Sequence, residues 1–265
     1  MREKAPELGR EFEGMTAVVT GAARGIGQAI AEALHERGAQ LVLVDCNGPT
    51  VGAAADGMRR PGLPAIHCVT ADLGLPQAAE MLARELPVFS STIDILVNNA
   101  GIEADIPFGR ITAEAFDRMI AVNLRAPLLV SQALAPLFPP GGGAIVNISS
   151  IHAGSAFPHA IPYACSKAGL IALTRNLALE LAPRKIRVNA VCPGYIDTPM
   201  WEEWLRTAAD PEALAERIAA LHPLGRRGLP EDVAAAVVSL AGPGSGWITG
   251  THLVVDGGLT IRTHP

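Results

Sequence analysis

Aromatic residues are scarce in this chain: they make up 4% of its 265 residues, and only two of them are tyrosines. A tyrosine within a recognisable pattern is therefore hard to dismiss as general hydrophobic filling. Positive charge is not in excess, since the formal net charge is −5, and no run of basic residues is present. This composition excludes the usual signatures of nucleic-acid and membrane-surface binding, and we expect a small-molecule substrate.

The four cysteines are too scattered to indicate a structural framework. None forms a C-x-x-C pair, so neither a disulfide scaffold nor a zinc site is expected, and we predict no metal in the catalytic step. The first residues lack the apolar segment of a signal peptide. No uninterrupted apolar run of roughly eighteen residues predicts a membrane span. Together these absences predict a cytoplasmic protein.

Short apolar runs rich in valine and isoleucine alternate with longer stretches of helical period. The runs are continuous rather than alternating, as in strands that are buried on both faces. Their order predicts right-handed βαβ units, and hence an α/β fold with a doubly wound parallel sheet and helices on both faces. The predicted strands cover 15–20, 40–45, 65–70, 93–98, 143–149, 186–192 and 252–256, and the predicted helices 25–37, 76–86, 113–138, 163–181 and 231–240.

Two segments depart from this alternation. Residues 1–13 are polar and predict a weakly ordered leader, which leaves 14–265 as a single domain. Residues 199–227 contain two tryptophans and a helical patch, and they follow a strand at the carboxyl edge of the predicted sheet. Substrate lids occur at such positions, so we predict a lid at about 199–227, with a surface helical hairpin as the alternative.

Tyr163 and Lys167 stand four residues apart at the start of a predicted helix. Positions i and i+4 share one helix face, so the lysine ammonium can lie near the phenol oxygen. A nearby positive charge favours the phenolate and should lower the tyrosine pKa, which would allow proton transfer near neutral pH. The alternative is a half-buried helix tyrosine beside a solvated lysine.

A glycine-rich turn follows the first predicted strand, with glycines at 21, 25 and 27. Such a turn lets the backbone approach a pyrophosphate, which the next helix binds with its free N–H groups. Asp45 ends the second strand, where an acid can accept a hydrogen bond from the ribose 2′-hydroxyl of NAD. It would repel a 2′-phosphate, so Asp45 favours NAD over NADP, although Arg24 in the glycine turn could reach a phosphate.

Two further strand ends carry polar or small residues. Asp72 follows the third strand and could accept from an adenine amino group, or it could simply cap a helix. The fourth strand ends in the sequence LVNNAG. We expect Asn98 to bond neighbouring strands and Asn99 to face the adenosine side, while Ala100 and Gly101 let a cofactor lie against the backbone.

These motifs together resemble the short-chain dehydrogenase/reductase family, classical type, over residues 14–258. The resemblance implies a Rossmann-like sheet of strand order 3-2-1-4-5-6-7. The matching motifs are T-G-x-x-x-G-x-G at 20–27, N-N-A-G at 98–101, Asn123 in AVNL, Ser150 in NISS, Y-x-x-x-K at 163–167 and P-G at 193–194. The spacing of thirteen residues from Ser150 to Tyr163 also agrees.

The resemblance also implies roles for individual residues. Tyr163 would be the general acid/base, and Lys167 would lower its pKa and hold the nicotinamide ribose. Ser150 would orient the substrate oxygen, and Asn123 would hold a water in a proton relay. Ile196 and Thr198 resemble the family's contacts to the nicotinamide amide, although Thr198 could be a helix N-cap. The predicted cofactor-binding residues are Gly21, Arg24, Gly25, Ile26, Gly27, Asp45, Asp72, Leu73, Asn99, Ala100, Gly101, Tyr163, Lys167, Pro193, Gly194, Ile196 and Thr198.

The substrate is less clearly indicated. His152 and Glu103 suggest hydroxyl recognition, as in family members similar to glucose 1-dehydrogenase, although His152 could equally be a polar loop residue. Phe157, Trp201 and Trp204 instead suit an apolar or ring-shaped substrate, and these five residues with Ser150 form the predicted substrate site.

The leading hypothesis is an NAD-dependent dehydrogenase of a polyol, sugar or other small secondary alcohol. The alternatives are a carbonyl or 3-oxoacyl-thioester reductase and a non-catalytic dinucleotide-binding protein. The resemblance further implies a homo-oligomer, a tetramer or dimer, paired through the helices at about 113–136 and 163–181.

Overall fold

A seven-stranded parallel sheet forms the centre of the computed structural model, which describes residues 9–262. The strand order is 3-2-1-4-5-6-7, which confirms the predicted fold class. Every strand pair is parallel, with Thr16 of the first strand opposite Gln40 of the second and Ala17 opposite Ile95 of the fourth. The strands are β1 (Thr16–Thr20), β2 (Gln40–Asp45), β3 (Ile66–Thr70), β4 (Ile95–Asn98), β5 (Gly143–Ile148), β6 (Ile186–Pro193) and β7 (His252–Val255).

Helices cover both faces of this sheet. Alternate side chains of β1 enter two separate apolar clusters: Ala17 and Val19 belong to one cluster, and Val18 belongs to the other. This explains why the strand sequences are continuously apolar. The helices are α1 (Gly25–Glu36), α2 (Gly48–Met58), α3 (Ala78–Glu85), α4 (Ala113–Ile120), α5 (Ala126–Leu134), α6 (Ile161–Leu181), α7 (Pro199–Leu205), α8 (Pro211–Leu221) and α9 (Pro230–Ala241).

Helix α2 was not among the predicted helices. Its sequence GPTVGAAADGM contains three glycines and a proline, which weaken the helical signal. Asn47 caps the helix by accepting a hydrogen bond from Thr50 N at 3.1 Å. Val51, Ala55 and Met58 are buried on one face, so tertiary packing stabilises a helix that local propensity disfavours.

The predicted leader needs a correction at its end. Residues 1–8 lie outside the described part of the chain, but Phe12 is fully buried in the cluster that contains Ala17 and Val19. Its backbone N–H donates to Arg37 O at 3.1 Å, just after α1. The last residues of the segment 1–13 therefore belong to the packed domain.

Helices α7 and α8 form a helical hairpin within the predicted lid. The two ends of the segment are held together: Asp197 N donates to Gly228 O and Gly228 N donates to Tyr195 O, both at 2.9 Å. Arg227 Nε also donates to Asp197 Oδ1 at 2.5 Å. The hairpin thus follows the carboxyl end of β6, and hydrogen bonds join the chain segments before and after it. This is the edge of the sheet where ligands bind in such folds.

One helical stretch, Ala113–Leu137, is long and apolar enough to cross a membrane by length and composition alone. Half of its most apolar window is buried inside the protein. Its burial against the sheet accounts for the apolar composition, as in the core helix of an α/β domain.

Candidate active site

The glycine turn lies directly against the end of β4. Gly21 has φ +63°, and a Cβ built there would lie 2.7 Å from Ala100 Cα. A Cβ at Gly27 would lie 2.1 Å from Gly21 O and 2.4 Å from Asn99 Nδ2. Only glycine fits these two positions without moving the backbone.

Side-chain hydrogen bonds fix this turn. Asn99 Nδ2 donates to Thr20 O and Gly21 O, both at 2.9 Å. Thr20 Oγ1 accepts from Asn99 N at 3.0 Å and from Ala100 N at 3.1 Å. The Asn99 amide therefore holds the glycine turn, while Asn98 bonds the neighbouring strand, as predicted, by donating to Asn147 Oδ1 at 2.8 Å.

The N-terminus of α1 is free to bind an anion. Arg24 occupies the N-cap position but makes no capping hydrogen bond, and the first turn contains no acidic residue. The first N–H groups of α1 therefore lack side-chain acceptors and carry the positive end of the helix dipole. This end of the helix and the close-packed glycine turn fit the pyrophosphate of a dinucleotide.

Asp45 lies beside the glycine turn. Its carboxylate accepts from Ala23 N at 3.1 Å and from Asn47 N at 3.0 Å. The position at the end of β2 matches that of an acid that binds a ribose hydroxyl. Arg24, one residue after Ala23, forms an ion pair with Glu203 of α7 rather than extending alone into solvent.

Asp72 is engaged by a cation from α4. Arg118 Nη2 lies 3.0 and 3.1 Å from the two carboxylate oxygens, and Gly74 N donates to Oδ1 at 2.9 Å. Burial raises the pKa of Asp72, but the hydrogen bonds from Arg118 and Gly74 outweigh burial and lower it. Asp72 does not cap α3, which begins at Ala78. Leu73 is buried beside it.

The P-G turn packs closely against the segment that follows β7. Pro193 ends β6, and a Cβ at Gly194 would lie 2.9 Å from Asp256 Cβ. Ile196 is buried, and Thr198 caps α7 by accepting from Trp201 N at 3.2 Å. The alternative role considered for Thr198 is therefore present, and its methyl group also lies at van der Waals distance from a Cβ built on Gly25.

Asn123 lies in a turn of π-helix, Ala121–Arg125, which separates α4 from α5. The sequence predicts one continuous helix here, and the π turn is the difference. Asn123 is fully buried; it accepts from Ile102 N at 2.9 Å and donates to Ile102 O at 2.8 Å. Its Nδ2 also lies 3.1 Å from Ser166 Oγ, so the amide joins α6 to the end of β4.

Ser150, Tyr163 and Lys167 converge at the carboxyl end of β5. The Ser150 hydroxyl lies beside the Tyr163 phenol and acts to lower its pKa. Lys167 Nζ lies 5.5 Å from the centroid of the Tyr163 ring and donates to Ile148 O at 2.9 Å. Lys167 is 4% exposed, so the alternative of a solvated lysine is wrong.

The prediction of a lowered tyrosine pKa is also wrong for this structure. Burial raises the pKa of Tyr163, the negative charge of Glu103 raises it further, and the hydrogen bond to Ser150 only partly opposes this rise. Burial also lowers the pKa of Lys167 to about 8. The physical reason is desolvation, which disfavours the phenolate and weakens the cation that was expected to stabilise it.

A row of aromatic rings borders the Tyr163 phenol. His152 stacks on Phe157 at 4.1 Å and meets the Tyr163 ring edge-on at 5.2 Å. Phe157 meets Tyr195 at 6.3 Å, and Tyr195 meets Trp201 at 5.6 Å. The structure thus brings four of the predicted substrate residues, His152, Phe157, Trp201 and Trp204, into one aromatic wall. Trp204 is the outermost ring and contacts Trp201 at 5.1 Å.

Sequence reasoning missed Tyr195, which joins the two parts of this wall. Burial raises the pKa of its phenol, and the negative charge of Glu103 adds to the rise. The available signal was its position: it is the second of two tyrosines and directly follows the P-G turn.

Two titratable groups give the substrate side a mixed polarity. Burial, reinforced by the charge of Lys167, lowers the pKa of His152 to about 4, so this imidazole is neutral at physiological pH. His152 Nδ1 is buried and has no hydrogen-bond partner within residues 9–262. Glu103 lies at the surface, but the protein around its carboxylate displaces part of its hydrating water, and this desolvation raises its pKa. The positive charge of Lys167 opposes the rise. The wall therefore includes one neutral polar ring, and a carboxylate close enough to act on Tyr163 and Tyr195 by its charge lies near it.

Comparisons with known proteins agree with this geometry. Residues 21–260 match a family model described as enoyl-(acyl carrier protein) reductase. A (3R)-3-hydroxyacyl-CoA dehydrogenase from Mus musculus is 40% identical over 255 residues, which is 92% of this chain and 95% of the relative.

Two solved structures also resemble this chain. A putative short-chain alcohol dehydrogenase from Sinorhizobium meliloti superposes with TM-score 0.86 at 33% identity, covering 94% of this chain and 98% of that one. An aldohexose dehydrogenase from Thermoplasma acidophilum superposes with TM-score 0.85 at 32% identity, covering 97% and 98%. Both similarities extend over nearly the whole chain.

Proposed function

The chain belongs to the short-chain dehydrogenase/reductase family of oxidoreductases, and from this premise we propose that it transfers hydride between NAD(H) and the carbon of a secondary alcohol or ketone. The observation that carries the proposal is the convergence of Ser150, Tyr163 and Lys167 at the carboxyl end of β5. A bound nicotinamide would supply the hydride acceptor or donor. The protein's residues supply the proton and the positioning.

Tyr163 is the proposed proton donor and acceptor. In the oxidative direction its phenolate takes the proton of the substrate hydroxyl, and in the reductive direction its phenol returns a proton to the carbonyl oxygen. Ser150, which acts on the pKa of the phenol, would orient the substrate oxygen. Lys167 would hold the nicotinamide ribose.

Asn123 holds two segments next to the proposed proton path in position. It anchors the Ile102 backbone and Ser166, the latter by a hydrogen bond at 3.1 Å. Ser166 Oγ in turn donates to Tyr163 O at 2.7 Å, in the first turn of α6. This arrangement would fix the position of a relay water between Asn123 and Lys167.

NAD is the proposed cofactor because Asp45 lies where the adenosine ribose would bind. The carboxylate can accept a hydrogen bond from a 2′-hydroxyl and would repel a 2′-phosphate. At about 4 Å and an effective dielectric near 20, each unit of like charge costs on the order of 4 kcal/mol.

The proposed substrate is a polyol, a sugar or another small secondary alcohol. Glu103 is exposed and can accept hydrogen bonds from additional hydroxyl groups. The rings of Phe157 and Tyr195 present an apolar surface to a sugar ring or carbon chain. The aldohexose dehydrogenase that shares this fold is consistent with such a substrate.

A 3-oxoacyl-thioester or other carbonyl reductase is the second candidate. The continuous aromatic wall from Phe157 to Trp204 would suit an acyl chain. The hydroxyacyl-CoA dehydrogenase named above acts on that chemical class by its description. Arg226 and Arg227 lie at the end of the predicted lid, and both are paired with aspartates.

An initial-rate panel tests these proposals. NADH formation at 340 nm is followed with NAD, and NADPH formation with NADP, over polyols, aldoses, secondary alcohols and hydroxysteroids. Reduction of ketones and 3-oxoacyl thioesters with NADH and NADPH is followed in parallel. Oxidation of polyols or sugars with NAD supports the leading proposal. Reduction of thioesters with NADPH and no oxidation of polyols would replace it with the second candidate.

We also propose a cytoplasmic homo-oligomer, either a tetramer or a dimer. Leu179 of α6 is 77% exposed, as an apolar residue at an interface between copies would be before assembly. Trp247, Leu253 and Val254, in and before the edge strand β7, are exposed as well. Elution at the mass of a single chain would contradict the assembly.

A further inference from the structure

An ion pair joins the predicted lid to the glycine turn. Arg24 Nη1 lies 2.8 Å from Glu203 Oε1 in α7, across 179 positions of sequence. A second contact lies beside it, since a Cβ built on Gly25 would be 3.4 Å from Thr198 Cγ2 at the base of the lid. The position of the lid and the position of the Arg24 side chain are therefore linked.

The same arginine lies next to the ribose end of the proposed cofactor site. Ala23 N donates to Asp45 Oδ2 at 3.1 Å, and Arg24 follows Ala23 directly. Arg24 is also the only cation within residues 21–27. A dinucleotide with a 2′-phosphate would place its extra negative charge near Asp45, where Arg24 is the available cation of the turn.

We propose that Glu203 is a cofactor-selectivity residue that acts through Arg24. By pairing with the guanidinium it withdraws this cation from a 2′-phosphate. Binding of NADP would have to break the contact between Arg24 and the lid, whereas binding of NAD leaves it intact. The inference rests on the dinucleotide-binding function proposed above and adds a second, lid-borne determinant to Asp45.

The neighbouring lid acid provides a matched control. Glu202 Oε2 lies 3.5 Å from Arg206 Nη2, so its ion pair remains within the lid segment. Glu202→Gln removes the same charge from the same helix as Glu203→Gln, without touching the glycine turn. A long-range effect of the charge on this helix would change the ratio of NADP to NAD affinity in both variants. Loss of the proposed contact with Arg24 would change it only in Glu203→Gln.

The expected effect is modest. Arg24 and Glu203 side chains are 54% and 57% exposed, so solvent and salt screen the pair. Exposed ion pairs of this kind shift equilibria by about 1.5- to 5-fold. We therefore expect Glu203→Gln to change the ratio of NADP to NAD affinity by about that factor in favour of NADP.

Isothermal titration calorimetry with NAD and with NADP measures this ratio directly, without catalysis. It is applied to the wild-type protein, to the single variants Glu203→Gln, Glu202→Gln and Arg24→Gln, and to the double variant that combines Arg24→Gln with Glu203→Gln. The proposal predicts a shift toward NADP in Glu203→Gln only, a shift that weakens in high salt and vanishes in the Arg24→Gln background.

The outcomes separate this inference from the proposed function. Equal affinity ratios in the wild-type protein and Glu203→Gln would overturn the selectivity role. An equal shift in Glu202→Gln, or one that persists in the Arg24→Gln background, would also overturn it. Failure of the wild-type protein to bind either dinucleotide would overturn the proposed function itself.

Discussion

The burial of Lys167 should make the stability of the protein depend on pH. Its side chain is 4% exposed, and burial lowers its pKa from 10.5 to about 8, despite the opposing charge of Glu103. Between these two values the unfolded chain binds the proton more fully than the folded chain does. Lys167 should therefore contribute a rise in the free energy of unfolding from about pH 8 toward 10, while the raised pKa values of Cys46, Cys68 and Cys192 act in the opposite direction from about pH 9.

The magnitude follows from the width of that interval. Each pH unit across which only the unfolded chain holds the proton adds about 1.4 kcal/mol, so two units add on the order of 2 to 3 kcal/mol. Above about pH 10 the raised pKa of Tyr163 reverses the trend, because the folded phenol then keeps a proton that the unfolded chain loses. The usable interval is therefore pH 8 to 10.

Urea denaturation of the wild-type protein and Lys167→Met at pH 8, 9 and 10 isolates this contribution. The wild-type protein should gain on the order of 2 to 3 kcal/mol relative to the variant across the interval. The same comparison with Lys185→Met, at an exposed lysine, should show no such gain. A difference between the wild-type protein and Lys167→Met that does not vary with pH would refute the argument from burial.

Three further predictions concern the turn, the π-helical asparagine and the rate. Gly27→Ala should weaken NAD binding at least about 100-fold by calorimetry, since the new Cβ would lie 2.1 Å from a backbone carbonyl; undiminished affinity would contradict the proposed cradle. Asn123→Ala should lower the free energy of unfolding by roughly 2 to 5 kcal/mol, because the backbone N–H and C=O of Ile102 both lose their hydrogen-bond partner. Its melting temperature should fall by about 5 to 20 °C by calorimetry, whereas the exposed Asn176→Ala should shift by about 1 °C or less. Because burial raises the pKa of Tyr163, alcohol oxidation should accelerate with pH up to at least about 9 while ketone reduction does not; an oxidation rate that is flat with pH would count against Tyr163 as the base.

The sheet could be predicted from sequence because its strands are buried on both faces. Continuous apolar runs such as QLVLVD identify strands without any knowledge of their partners. Helix α2 could not be found in this way, because its glycines and proline hide a helix that the packing of Val51 and Met58 stabilises. The π turn at Asn123 was hidden for a related reason, since side-chain periodicity does not distinguish one inserted residue in a long helix.

The site residues could be named from motifs, but their electrostatics could not. The motif places Tyr163 and Lys167 on one helix face, and the structure agrees. Their pKa values depend on how deeply the surrounding elements bury them, and local sequence carries no such information. The pair between Arg24 and Glu203 could not be predicted either, because its members are 179 positions apart and only the folding of α7 against the glycine turn brings them together.

Tyr163→Phe tests the central claim most directly, because the substitution removes only the phenol oxygen and keeps the ring that packs against His152. Initial rates at 340 nm on the best substrate of the panel are compared with NAD affinity measured by calorimetry. The proposed mechanism predicts a loss of turnover of at least about 100-fold, with NAD affinity unchanged. Turnover equal to that of the wild-type protein would contradict the assignment of Tyr163 as the proton-transfer group.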